Sequence, residues 1–256
     1  MRYLDTDDAL AVAAVKAIHR GDVGELRRLL AAHSGLARVR LGDEGGMSRT
    51  LLHVVTDWPG RFPNGPGLVG ELVAAGAEVD ARFAGPHTET PLMWAASSDD
   101  VPVLDALLDA GADIDATGAV IGGGTALSDA CAFGQWNAAR RLVERGATIL
   151  LWEAATLGLM DHIAAAFAAD PSPGADEVTH GLWAACHGGQ QQAAAFFLAR
   201  GADINWVGYD QLTPLDAARR SGADELAAWL IEHGARSATR AELTLAPARP
   251  NESDDE

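Results

Sequence analysis

Apolar positions recur along the chain in short blocks with the spacing of a helix rather than a strand. In TPLMWAA they are Leu92, Ala95 and Ala96, in TALSDAC Leu127, Ala130 and Cys131, and in HGLWAAC Leu182, Ala185 and Cys186. An i, i+3, i+4 arrangement puts three side chains on one stripe. A threonine, or a threonine–proline pair, stands before several blocks, which suits a hydroxyl N-cap with proline at the first helical position. Glycine usually follows the block, at Gly134, Gly189 and Gly222, and a second apolar run such as VLDALLDAG, AAAFFLARG or LAAWLIEHG then ends on another glycine. Glycine just past the last periodic residue is the left-handed end of a helix. The pattern predicts pairs of short antiparallel helices with a turn after each pair.

The pairs repeat. A Gly-Ala phrase closes them at Gly76, Gly111, Gly146, Gly201 and Gly234, with AAD at Ala168 filling the one long step. A unit of turn, helix, glycine, helix and glycine of about 33 residues resembles the ankyrin repeat. The motifs that carry the resemblance are TPLMWAA with GADIDA and TPLDAARRSG with GADIN, in register, and it extends over roughly residues 9–236. It implies an all-α repeat solenoid of about seven helix-turn-helix units with β-hairpin or loop fingers. The expected repeats are 9–37, 45–80, 85–116, 120–149, 150–170, 176–205 and 209–236, in a single domain over 1–236. In this family the concave face formed by finger tips and inner helices binds another macromolecule.

Departures from the repeat carry what is particular to this chain. Residues 9–37 lack the TPLH-like phrase and read as a capping unit. A Pro/Gly-rich insertion from Trp58 to about Gly67 separates the two helices of the second repeat. GATIL passes directly into WEAATLGLMD, so a finger is missing between the fourth and fifth repeats. Residues 237–256 lose periodicity, end acidic, and read as a disordered tail.

Composition narrows the partners. The hydrophobic content is 48%, only 21% of residues are charged, and the formal charge is -17. Nucleic acid and anionic membranes would be repelled, whereas a basic protein or peptide would be attracted. Lys16 is the only lysine, the usage of a GC-rich bacterial genome. No basic n-region followed by a long apolar run opens the sequence, and Cys131 and Cys186 match no metal-ligand spacing. A cytoplasmic protein without metal or cofactor is expected.

Aligned on the helix-opening leucine, positions two, five and six later are expected to face the groove. They are Val54, Asp57 and Trp58; Trp94, Ser97 and Ser98; Asp129, Ala132 and Phe133; Glu153, Thr156 and Leu157; Ala184, His187 and Gly188. Fingers add Phe83, His87 and Glu89, then Ile121, then Trp206, Tyr209 and Asp210. Trp152 and Trp183 stand one residue after the leucine, where the family has histidine; His53 keeps that histidine and is expected to bond neighbouring backbone. Aromatic anchors among polar groups suit a protein or peptide partner. The alternative is a small-molecule site, even an enzyme, in which His87 or His187 works with Glu89, Asp129 or Glu153 in metal-free acid–base chemistry. The insertion, by closing one end of the groove, is the feature that favours it. Standard hydrolase signatures are absent.

Overall fold

The structure, a computed structural model, describes residues 2–43 and 45–238; the acidic tail from residue 239 onward lies outside the described residues. Fourteen α-helices run through them in consecutive pairs, each helix packed on its pair-mate. The contacts divide the chain into two compact units, Met1–Thr148 and Ile149–Glu256.

Unit 1 holds α1 (Ala9–Arg20) with α2 (Val23–Ala32), α3 (Leu51–Thr56) with α4 (Gly65–Ala74), α5 (Pro91–Ser97) with α6 (Val101–Asp109), and α7 (Ala126–Ala132) with α8 (Trp136–Glu144). The odd helices pack in sequence α1, α3, α5, α7, and the even ones likewise, so two helical rows share one core. Leu51, Leu52, Leu68, Leu72, Leu92, Leu104 and Leu107 fill it, all almost wholly buried. Unit 2 holds α9 (Leu151–Leu157) with α10 (Met160–Ala168), α11 (Ala175–His187) with α12 (Gln191–Leu198), and α13 (Pro214–Arg220) with α14 (Asp224–Glu232). Its core is alanine-rich, with Leu182, Phe197, Leu215 and Leu230 as the large members. Small residues bring backbones close: Gly188 lies so near the Thr156 carbonyl that any Cβ there would collide with it.

The expected glycine ends are present. At Gly111 φ is 92°, its N–H bonds Leu108 O at 3.0 Å, and Ala112 N–H bonds Leu107 O at 3.0 Å. The closing phrase also sets the register between repeats. Asp80 accepts Asp113 N–H at 3.1 Å, Asp115 accepts Thr148 N–H at 2.9 Å, and Asn205 accepts Arg236 N–H at 2.9 Å. Each acceptor is the fifth residue of one phrase and each donor the third of a later one, so the acid or amide of GAEVD, GADID and GADIN satisfies backbone that the turn leaves unpaired.

One feature differs from expectation. A small sheet joins β1 (Tyr3–Leu4) in parallel to β2 (Arg40–Gly42), which pairs antiparallel with β3 (Ser48–Thr50). Buried Arg40 holds it by donating to Ser48 Oγ at 2.8 Å, Ser48 O at 2.7 Å and Arg82 O at 2.7 Å. Among the described residues β2–β3 is the one finger with a hairpin ladder, extended by a bridge between Ser48 and Ala84. The later fingers are loops: Gly118 N–H, for example, bonds Gly124 O at 3.0 Å across a glycine-rich turn. The connections are uneven in length, residues 75–90 and 110–125 before α5 and α7 but only 145–150 before α9.

Candidate functional site

In unit 1 the site is built outward from His53, near the start of α3. Its Nδ1 accepts Thr50 N–H at 3.3 Å and the Thr50 hydroxyl at 2.9 Å, which leaves Nε2 to carry the proton and donate to Glu89 O at 3.1 Å. Burial lowers its pKa to about 4, so the ring is neutral. His53 is therefore structural, as its place in the repeat predicts. Glu89 O also accepts Phe83 N–H at 2.8 Å, which folds the finger over the helix. Trp94 meets the edge of His53 at 4.9 Å and packs on Phe83 at 5.4 Å between ring centroids.

Thr88 N–H also bonds Gly118 O at 3.4 Å, which ties this finger to the one before α7, and the charge of Glu89 acts on Asp129 in that helix. Asp129 is 1% exposed; Oδ1 accepts Ile121 N–H at 3.0 Å, and Oδ2 has no hydrogen-bond partner. Burial first, and then the negative charge of Glu89, raise its pKa to about 6, against the nearby Ile121 and Val120 N–H groups, which favour the charged form. Glu89 is itself buried, and its carboxylate accepts no hydrogen bond among the described residues. The structure thus brings Phe83, Glu89, Trp94 and Asp129 together.

The stripe expected to be open is largely closed. Position two after the leucine is buried in Val54, Asp129, Glu153 and Ala184, and only Trp94 is half-exposed there. The reason is visible at Asp129, where the finger bonds down onto the first turn of the helix. Asp129 and Glu153 are consequently not solvated surface acids. Trp58 and Phe133 lie beyond the C-terminal ends of α3 and α7, 81% and 45% exposed, and do not join the cluster. His87 stays on the finger, half-buried and outside the ring contacts.

The insertion does not close over the fingers. Arg61 N–H bonds Asp100 Oδ2 at 2.6 Å, the Arg61 guanidinium pairs with Asp99 at 3.2 Å, and Asn64 donates to Gly21 O at 2.8 Å. Phe62 stacks on His19 at 4.5 Å. Asp99–Asp100 and Gly21 are turns within helix pairs, at the opposite end of the inner helices from the fingers. A cleft of about 650 Å³ opens there, lined by Arg61, Phe62, Asp99, Asp100, Val103 and Asn137 among others, and by none of the residues predicted from sequence. The feature that favoured an enclosed catalytic groove therefore points elsewhere.

In unit 2 the aromatics form a second cluster. Trp183 stacks with His187 at 5.5 Å and meets Tyr209 at 5.2 Å, while Trp206 contacts Tyr209 at 6.0 Å and His180 at 4.7 Å. Trp183 Nε1 donates to Leu212 O at 2.9 Å. That bond is the counterpart of His53 to Glu89 O: in both, the residue after the leucine reaches the carbonyl just before the next N-cap threonine. Trp183 thus replaces the repeat histidine in kind. Trp152 packs half-buried against the unit 2 core. Glu153 is buried at N3 of α9 and accepts Leu150 N–H at 2.8 Å, which gives it a capping role where threonine is missing. His187 is buried, and its carbonyl accepts the Ser221 hydroxyl at 2.5 Å. Asp210 pairs with Arg220 at 2.5 Å. His180 was missed from sequence, although its occupancy of a threonine position is a signal.

Both cysteines are buried and outside any disulfide, and burial raises the Cys186 thiol pKa. No described helix is long and apolar enough to cross a membrane. A comparison with curated proteins gives no match. Residues 61–152 match the family described as Ankyrin repeats (3 copies), which with the paired helices supports the ankyrin-repeat family and an all-α repeat fold for this chain.

Proposed function

We propose that the chain is a recognition module that binds a protein or peptide partner through its finger-side face. Ankyrin repeats are generally protein-interaction modules, and the resemblance supports that class. In unit 1 the contact residues are Phe83, Glu89 and Trp94, with His87 beside them; in unit 2 they are Trp206, Tyr209 and Asp210. The observation that carries the reading is half-exposed aromatic surface, Trp94 and the 55% exposed Tyr209, next to carboxylates. Aromatic anchors inside a polar rim concentrate binding energy. The charge of -17 favours a basic partner over nucleic acid or an anionic membrane. The buried thiols suit a cytoplasmic, reducing setting.

Affinity capture with the full chain tests this, with Trp94→Ala in parallel and folding checked by circular dichroism. A partner retained by the wild type and lost by Trp94→Ala supports the module. Capture of nothing, or equal capture by both, refutes it.

A further inference from the structure

We infer that Glu89 and Asp129 form an acidic slot that takes the cationic side chain of an arginine or lysine from the partner. This rests on the recognition reading and adds the chemistry of the anchor residue. Three observations meet here. Asp129 is buried with one carboxylate oxygen bonded to Ile121 N–H and the other without a donor. Glu89, on a finger tied to the one before α7 by Thr88 N–H to Gly118 O at 3.4 Å, is buried with a carboxylate that accepts nothing within the described residues. Burial, and after it the charge of Glu89, favour the protonated form of Asp129.

A buried oxygen without a donor is costly, and two adjacent carboxylates more so, unless a group with several donors and a positive charge enters. Ammonium and guanidinium groups satisfy both needs, and charge-assisted bonds to carboxylate are the stronger kind. Glu89, the less buried of the two, is the mouth of the slot, and Asp129 adds negative charge behind it once it is ionised. The apolar stem of such a side chain finds Trp94 and Phe83 on the same finger-and-helix unit, anchored through the Glu89 backbone.

The test is a titration of the full ¹⁵N-labelled chain with acetyl-arginine amide, acetyl-lysine amide and, as the neutral isostere, acetyl-citrulline amide. The Ile121 amide, bonded to Asp129, and the Trp94 indole are the reporters. Saturable shifts with the cationic amides alone, weakened about tenfold or more in Glu89→Gln and in Asp129→Asn, are expected. Asp129→Asn keeps an oxygen for Ile121 N–H, and unchanged spectral dispersion verifies folding. Equal response to citrulline amide, unaltered arginine binding in both variants, or no saturable shift overturns the slot. If Trp94→Ala abolishes partner capture while Glu89→Gln retains it, the recognition module stands and the slot fails.

Discussion

Replacing Asp129 by asparagine removes one proton-binding site from unit 1 and keeps its shape. In the wild type the folded chain binds that proton more tightly than the unfolded chain, since the pKa is raised from 3.8 to about 6. The stability that Asp129 contributes is therefore complete below pH 3.8 and is lost as pH rises towards about 6. At about 1.4 kcal/mol per pH unit the loss is about 3 kcal/mol. His53 works in the opposite sense: its pKa falls from 6.5 to about 4, so its contribution is complete above 6.5 and is lost as pH falls towards about 4, again by about 3 kcal/mol. Between about pH 4 and about pH 6 the two oppose each other in the wild type. Asp129→Asn leaves only the His53 dependence. The variant is expected to match the wild type near pH 4 and to exceed it by roughly 1–3 kcal/mol near pH 7. Urea unfolding followed by circular dichroism at fixed ionic strength measures this. A difference between the two proteins that is the same at both pH values would refute the argument that burial and Glu89 hold the proton on Asp129.

The other predictions concern packing and anchoring. His53→Ala removes the link between Thr50 and Glu89 O and leaves a cavity, so unfolding stability falls by roughly 2–4 kcal/mol; a change within error in urea midpoint would contradict it. Trp183→Phe keeps the ring packing but removes the indole donor to Leu212 O, which retains Gly208 N–H, for a loss of about 0.5–1.5 kcal/mol in the same assay. Gly188→Ala forces α9 and α11 apart at Thr156 and is expected to cost more than about 3 kcal/mol or to abolish unit 2 folding. Cys131 and Cys186 react with a thiol reagent only at the rate of unfolding, and rapid modification of the native chain would show that the burial is incomplete.

Much of the fold was legible because it is local and repeated. The 3.6-residue stripes, the N-cap threonines and the left-handed glycines each act within a few residues of their own position, and repetition multiplies a weak signal into a clear one. His53 was legible for the same reason, since its partners are the threonine three residues before it and the turn of the following repeat. The paired helices and the register of GADID and GADIN followed from such patterns. The tertiary structure alone decided which polar groups are buried, because burial depends on chain brought back from the next finger. Asp129 and Glu153 share a column in the repeat, yet one accepts a finger N–H and the other caps its own helix. No periodicity distinguishes them. The path of the insertion was equally hidden: its direction depends on Arg61 and Asn64 finding Asp99, Asp100 and Gly21, contacts nearly forty residues or more away along the chain. Local physics determined the elements, and long-range pairing of a few charged and polar groups determined which side chains are buried and which stay at the surface.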